Sequence, residues 1–311
     1  MGHNSTFSAA FVPAPRACRP PAVLPALFRF LSRLSLPLLH NLGALAGWLA
    51  WLLSATYRRN FSRHIEQAGM TEAKTAAIAE AGKALLELPK IWLRPQDEVV
   101  ARVVRVSGWE LVEGAWSTGR GILFLTPHLG CFEITAQYYA AQSTHAAHGP
   151  MTVLYRRPKQ DWLAPLIEEG RGANLKLAPA DLSGVRRLLK ALKSGEAVGM
   201  LPDQVPGNGE GTWLPFFGRP AYTMTLAARL AETGATVLLA YGERLHYGAG
   251  YHLKLFPLSA PLAGDLMQRA AQLNRELETL IRQCPEQYLW GYNRYKVPAG
   301  AEPPNAVKAE S

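Results

Sequence analysis

The segment that decides the fold is Leu123-Phe-Leu-Thr-Pro-His128-Leu-Gly-Cys-Phe-Glu133-Ile-Thr-Ala136. Its first residues form an apolar, strand-like run that ends at Pro127, and a helical pattern begins a few residues later. His128 leaves the strand at this point, and an imidazole there can accept a proton near neutral pH. A carboxylate at Glu133 is suited to orient the ring. The spacing alone equally allows a loop histidine and a helix-start glutamate that never meet.

Around this segment, short β runs alternate with helical stretches. This alternation predicts an α/β fold with a central mixed sheet covered by helices. A further helix is predicted before the alternation begins, over residues 71–88. The predicted strands are residues 103–106, 122–125, 151–155, 175–177, 197–201, 236–241 and 251–257. The predicted helices of the alternating part are residues 132–141, 161–169, 182–193, 222–233 and 265–283.

The N-terminal part has a different character. Residues 1–22 are rich in Pro, Ala and Arg and are predicted to be unstructured. Residues 36–55 are apolar over nearly the length that spans a bilayer, Trp48 and Trp51 suit an interface, and arginines flank both ends. We therefore expect a membrane-associating helix that either spans the bilayer or lies in its interface. A buried core helix and a cleaved signal peptide are the alternatives.

Charge and cysteine content narrow the class of protein. The formal net charge is +9, which favours acidic partners such as nucleic acid, anionic lipid, a phosphorylated substrate or an acidic carrier protein. Arg186 and Arg187 lie on a predicted helix and form a candidate docking surface; a solvated helix face is the alternative. Three widely spaced cysteines favour neither a disulfide framework nor a metal site, and a reducing compartment fits them better.

A second polar group follows another predicted strand. Asp203 and Gln204 come just after the apolar run 197–201, where open α/β sheets place functional groups. A strand-end turn without a chemical role is the alternative. Cys131 is more readily explained by packing than as a nucleophile, and no Gly-x-Ser-x-Gly elbow supports a serine hydrolase.

These residues, taken in order, resemble the bacterial lipid A biosynthesis acyltransferases, the late lauroyl- and myristoyl-transferases. The resemblance covers nearly the whole chain, although Cys131-Phe132 stands where the family often has Asn-Trp. The matching motifs are His128-x4-Glu133, Tyr155-Arg156, Asp203-Gln204, Pro215-Phe-Phe217-Gly218 and Pro285-Glu-Gln-Tyr-Leu-Trp290.

The resemblance implies a reaction and a place for it. An acyl chain would move from acyl-acyl carrier protein to a hydroxyl of an anionic lipid A precursor, at the cytoplasmic face of the bacterial inner membrane. Residues 1–60 would be a disordered leader and anchoring segment, and residues 61–311 a glycerolipid acyltransferase-like domain. No metal, other cofactor or nucleic acid is expected to take part.

The resemblance also implies roles for individual residues. His128 would deprotonate the acceptor hydroxyl, Glu133 would orient His128, and Arg156 is the candidate to stabilise the oxyanion. The residues expected to bind substrate are Asp203, Gln204, Phe217, Gly218, Arg186 and Arg187.

Three other functions stay open at this stage. The same fold could acylate another lipid acceptor, or water could replace the alcohol and give a thioesterase. A non-catalytic protein that binds anionic lipid would also explain the charge, although it would not explain the order of the motifs.

Overall fold

The computed structural model describes residues 23–146, 148–158, 160–172 and 175–304. The predictions for the leader, residues 1–22, therefore lie outside the described residues. The main feature is a seven-stranded sheet with the strand order β1-β9-β8-β2-β5-β3-β4. Its strands are β1 (Val103–Ser107), β2 (Ile122–Leu125), β3 (Thr152–Tyr155), β4 (Lys176–Pro179), β5 (Ala197–Met200), β8 (Thr236–Arg244) and β9 (Tyr251–Pro257).

Neighbouring strands are parallel throughout, except that β8 and β9 are antiparallel. The sheet is therefore mixed, and the predicted fold class is confirmed. Each predicted strand is present, with ends that shift by three residues or fewer. The helices are α1 (Val23–Arg33), α2 (Leu36–Leu53), α3 (Ala55–Gln67), α4 (Lys74–Leu93), α5 (Gln96–Val100), α6 (Glu110–Ser117), α7 (Phe132–His145), α8 (Leu163–Gly172), α9 (Leu182–Lys193), α10 (Leu226–Ala231) and α11 (Leu266–Arg282).

The central strand β2 is buried on both faces, which explains its uninterrupted apolar sequence. Because side chains alternate along a strand, Leu123 and Leu125 enter one core cluster and Ile122 and Phe124 enter the other. Packing on both faces holds this strand in a fixed position between the two layers of the core. The chain that follows it therefore starts from a rigid position.

One prediction was wrong in this part of the chain. Residues 222–233 form no continuous helix: β7 (Arg219–Met224) pairs antiparallel with β6 (Gly211–Phe216), and the short α10 follows. The sequence signal was missed because Phe217, at the first turn position, is a residue type that rarely adopts a positive φ. The hairpin turns at Phe217 and Gly218, whose φ angles are 46° and 74°, as a two-residue turn between strands requires.

The N-terminal helices pack on the α/β unit through glycines. Helix α2 lies along α4, and the two backbones meet where Gly43 and Gly47 face Gly82. A Cβ atom on Gly82 would lie 1.9 Å from the Gly43 carbonyl oxygen. Only glycine allows this approach, so the seam fixes both the spacing and the register of the two helices.

We expect Gly82→Ala to destabilise the fold by about 2 kcal/mol or more, because the new methyl group overlaps backbone atoms that cannot move independently. Gly114→Ala is the matched control, since Gly114 lies in α6 with open space around its Cβ position. That substitution should be neutral or stabilising by roughly 0.5–1 kcal/mol. Chemical unfolding of both variants measures the difference, and a Gly82→Ala protein as stable as wild type would contradict the close seam.

Candidate active site

The site lies at the carboxyl ends of two neighbouring parallel strands, β2 and β5. The strand register pairs Leu125 with Met200. His128 and Asp203 are 75 residues apart in sequence, the same separation as this pair of strand residues. Each of these two polar residues follows the last residue of its strand by three positions. Parallel pairing therefore brings them to the same edge of the sheet, where α/β folds present functional groups.

His128 and Asp203 form a direct hydrogen-bonded pair. The Nδ1 atom of His128 lies 2.8 Å from Oδ1 of Asp203, and the backbone N–H of His128 donates to Oδ2 at 3.0 Å. The Asp203 side chain is 3% exposed and the imidazole 13%. One carboxylate thus fixes both the backbone position and the ring orientation of the histidine.

This geometry favours an ionised Asp203 and selects the tautomer of the neutral His128 ring. Burial alone would raise the pKa of the Asp203 carboxyl, but the His128 ring, its two hydrogen bonds and the nearby Arg294 guanidinium lower that pKa below its ordinary value. An ionised carboxylate can only accept, so Nδ1 of His128 carries a hydrogen and the neutral ring keeps its lone pair on Nε2. Gln204 Nε2 lies 3.1 Å from that atom and can donate to it.

The loop that carries His128 is held at almost every residue. The His128 carbonyl accepts a hydrogen bond from Leu289 N, and Gly130 N donates to Gln287 O. Gly130 has a φ of 61°, and a Cβ atom there would lie 2.1 Å from the Gly242 carbonyl oxygen. The loop is therefore positioned by backbone contacts before any ligand arrives.

Glu133 lies close in sequence but has another partner. It is buried in the first turn of α7, and Arg171 of α8 donates to both of its carboxylate oxygens. The bond from Arg171 Nε to Glu133 Oε2 is 3.0 Å long. The structure thus brings Asp203, and not Glu133, to the imidazole ring. The i, i+5 spacing failed as a guide because Glu133 faces α8, while the ring turns toward β5 and packs against Phe132.

The other predicted residues are more widely placed. Arg156 is largely exposed, with its guanidinium 4.0 Å from the Glu210 carboxylate, and it is not among the described residues that contact His128. Phe217 is buried in the hairpin turn against Trp290. Gly218 shares that turn. Arg186 and Arg187 are exposed on α9, as the helical spacing predicts.

Cys131 packs beneath the loop. It is fully buried, and burial together with the nearby Glu87 charge raises the pKa of its thiol well above the ordinary value. A thiol that stays protonated is a poor nucleophile. The packing interpretation of this cysteine is therefore the one that its environment favours.

A buried ionic cluster that the sequence does not reveal lies behind the loop. Arg244, at the end of β8, donates to Glu87 and Glu80 of α4, both at 2.9 Å. His40 of α2 and the Tyr251 hydroxyl contact the second oxygen of Glu87 at 3.1 and 3.0 Å. Burial alone would raise the pKa of Glu87, but the Arg244 charge and these hydrogen bonds lower it.

Gln287 connects this cluster to the active-site loop. Its side-chain amide accepts from Arg244 N at 2.8 Å and donates to Arg244 O at 2.9 Å, while its backbone carbonyl accepts from Gly130 N. Gln287 belongs to the Pro285–Trp290 motif, so this motif has a structural explanation: it holds the histidine loop against β8.

A family model of the bacterial lipid A biosynthesis acyltransferases matches residues 24–297, which include the whole sheet, His128 and Asp203. The lipid A biosynthesis lauroyltransferase of Escherichia coli K12 is 29% identical over 277 residues, covering 85% of this chain and 87% of the relative.

Two further relatives come from the same organism. The lipid A biosynthesis palmitoleoyltransferase is 30% identical over 231 residues, covering 72% of this chain and 73% of the relative. The myristoyltransferase is 25% identical over 262 residues, covering 82% and 78% respectively. These matches confirm the family resemblance drawn from the sequence motifs.

We expect Arg171→Ala to cost about 3–5 kcal/mol of unfolding free energy, because it leaves the buried Glu133 carboxylate without its partner. Arg94→Ala is the matched control: Arg94 also bonds a glutamate through two nitrogens, but on an exposed helix end. Chemical unfolding should show no measurable change for that variant. Equal effects of the two substitutions would contradict the buried character of the Glu133–Arg171 pair.

Proposed function

The chain belongs to the bacterial lipid A biosynthesis acyltransferase family, and on that basis we propose that it is an O-acyltransferase that adds a fatty acyl chain to a hydroxyl of a lipid A precursor. The donor that we propose is acyl-acyl carrier protein, and the place is the cytoplasmic face of the bacterial inner membrane. The observation that carries the chemistry is the His128 ring, whose Nδ1 is held by Asp203 and whose Nε2 points away from that partner.

In the proposed reaction His128 acts first as a base. Its Nε2 takes the proton of the acceptor hydroxyl while the hydroxyl oxygen attacks the thioester carbonyl carbon of the donor. When the tetrahedral intermediate collapses, the carbon–sulfur bond breaks and the imidazolium returns the proton to the leaving sulfur. The products are an ester and the free thiol of the carrier, and His128 is neutral again.

We assign the orienting role to Asp203. Its carboxylate accepts the hydrogen bond of Nδ1, with 2.8 Å between the nitrogen and Oδ1, and stabilises the positive charge that the ring carries between the two proton transfers. Gln204 must release Nε2 when the acceptor hydroxyl binds, since that nitrogen has a single lone pair. Glu133 supports the site indirectly, because its pair with Arg171 joins the start of α7 to α8.

The oxyanion of the intermediate needs a donor or cation, and Arg156 stays our candidate. It follows β3, which pairs in parallel with β5, so both strands point to the same edge of the sheet. Within the described part of the chain, its guanidinium makes a single ion pair, at 4.0 Å from the Glu210 carboxylate. It is therefore free to turn toward a bound thioester.

If Arg156 serves the oxyanion, Arg156→Ala should lower kcat by roughly 10²-fold with little change in KM. Arg157→Ala, at the neighbouring exposed arginine, is the control and should leave kcat near the wild-type value. Steady-state kinetics on both variants would decide, and equal rates for Arg156→Ala and wild type would remove Arg156 from the mechanism.

The central test of the function is the fate of the acyl group. With acyl-acyl carrier protein and a lipid A precursor, mass spectrometry should show one added acyl group on the glycolipid. His128→Ala should lower turnover by roughly 10³-fold or more, and Asp203→Asn by about 10²- to 10⁴-fold, because the ring loses its base or its orientation. Both variants should keep the wild-type circular dichroism spectrum.

Two outcomes would count against the proposal. Release of free fatty acid without glycolipid product would instead indicate a thioesterase. A folded His128→Ala protein with the wild-type rate would exclude the proposed base.

The exposed cations of α9 are proposed to dock the acidic carrier protein. The residues are Arg186, Arg187, Lys190 and Lys193. We expect Arg187→Glu to raise KM for acyl-acyl carrier protein by roughly fivefold at low salt without lowering kcat, and the effect should shrink at high salt.

Arg275→Glu provides the matched charge reversal, since Arg275 is exposed on α11. It should leave KM unchanged. A short acyl-pantetheine thioester should be used equally well by all three proteins, because it carries no acidic protein surface. If Arg275→Glu raised KM as much as Arg187→Glu, a specific docking surface on α9 would be excluded.

A further inference from the structure

Helix α2 presents a leucine surface to its surroundings. The 18-residue helix contains no Asp, Glu, Lys or Arg, and along its outward side the large side chains are leucines. Leu45 is 58% exposed and Leu52 57%. An apolar surface of this length is unusual for a protein surrounded only by water. The exposed leucines are Leu38, Leu42, Leu45, Leu49, Leu52 and Leu53.

The opposite side of the same helix is committed to α4. His40 meets Glu87, Gly43 meets Gly82, and Gly47 lies against the backbone of Ile78. The residue numbers rise along one helix as they fall along the other, so the two helices run antiparallel, side by side. The orientation of α2 relative to a membrane therefore also determines the orientation of α4.

This pairing opposes a transmembrane orientation. If α2 stood along the bilayer normal, α4 would stand beside it at the same depth. Lys74, Glu80 and Lys83 of α4 would then enter the hydrocarbon layer, where charged side chains are strongly disfavoured. An orientation parallel to the membrane surface keeps those charges on the protein side and places only the leucines in lipid.

The charges around α2 indicate which surface it meets. The chain contains no Asp or Glu before Glu66, whereas exposed arginines lie on both sides of the helix. Arg29 and Arg33 lie on α1, and Arg59 and Arg63 on α3. This distribution is complementary to anionic lipid headgroups.

Helix α1, which also packs on α4, carries a second exposed apolar surface. It is amphipathic, and its exposed apolar residues lie on one side of the helix. They are Val23, Leu24, Leu27 and Phe30. Leu36, at the start of α2, packs in one cluster with Cys131 below the His128 loop, so this surface begins close to the active site.

We propose that α1 and α2 form a membrane-docking face that lies in the plane of a bilayer leaflet, with the leucines in the acyl region and the arginines among anionic headgroups. This inference deepens the membrane association in the proposed function. Its test measures membrane binding and needs no acyl donor. A wild-type protein that binds vesicles but transfers no acyl group would contradict the proposed chemistry alone. A wild-type protein that transfers acyl groups between soluble substrates but binds no vesicles would contradict the docking face alone.

Depth measurements separate the two orientations. Nitroxide labels on Leu38→Cys, Leu45→Cys and Leu52→Cys lie on one face of α2, and the first and last are about 21 Å apart along the helix axis. In vesicles of equal parts phosphatidylcholine and phosphatidylglycerol, the three labels should report the same shallow depth by electron paramagnetic resonance. A label at Leu45 much deeper than the other two would indicate a spanning helix and overturn the proposal.

Vesicle-binding measurements test whether the partner of this surface is an anionic bilayer. Leu45→Glu should weaken binding of the full chain to these vesicles by about tenfold or more. Leu182→Glu, an equally drastic change at an exposed leucine of α9, should not. Replacing phosphatidylglycerol with phosphatidylcholine should weaken wild-type binding by about fivefold for each arginine engaged.

Three results would overturn the docking face. They are equal binding of Leu45→Glu and wild type, binding that ignores the anionic lipid, and a wild-type dimer that Leu45→Glu converts to monomers without any change in vesicle binding. The last result would assign the leucine surface to a second copy of the chain.

Discussion

The hydrogen bond between His128 Nδ1 and Asp203 is the interaction on which the site depends. It exists because β2 and β5 are adjacent and parallel, so their carboxyl ends place two distant residues side by side. The buried carboxylate leaves the ring a single tautomer and a single orientation. The base that we propose therefore needs no reorientation of its own ring when the acceptor arrives, and only Gln204 must release Nε2.

The rest of the fold supports this pair from behind. Gln287 ties Gly130 of the histidine loop to Arg244, and Arg244 bonds Glu80 and Glu87 of α4. Helix α4 in turn packs against α2 through the close contact of Gly82 with Gly43 and Gly47. The helices that we propose as the membrane face are therefore joined to the active-site loop through buried polar contacts. We infer that docking and catalysis use one connected structural unit.

The sequence predicted the sheet well because buried parallel strands have a distinctive apolar pattern, as in residues 122–125. It also singled out His128 and Asp203 as separate strand-end residues. It failed to join them, because sequence spacing carries no information on which strands become neighbours. The same limit explains the misassigned partner of Glu133: Arg171 lies on the following helix, α8, 38 residues further along the chain, and only the tertiary fold brings the two side chains together. The β6–β7 hairpin was missed because its turn uses Phe217 at positive φ, a conformation that residue type does not announce.

The most direct test of this account is the protonation state of His128 in solution. Nitrogen-15 spectra of the protein with labelled histidine, assigned by the signal lost in His128→Gln, should show that the neutral ring carries its hydrogen on Nδ1 and its lone pair on Nε2. That Nδ1 hydrogen should shift or exchange rapidly in Asp203→Asn and persist in Glu133→Gln. A ring that carries its hydrogen on Nε2, or one that responds to Glu133→Gln and ignores Asp203→Asn, would contradict the account.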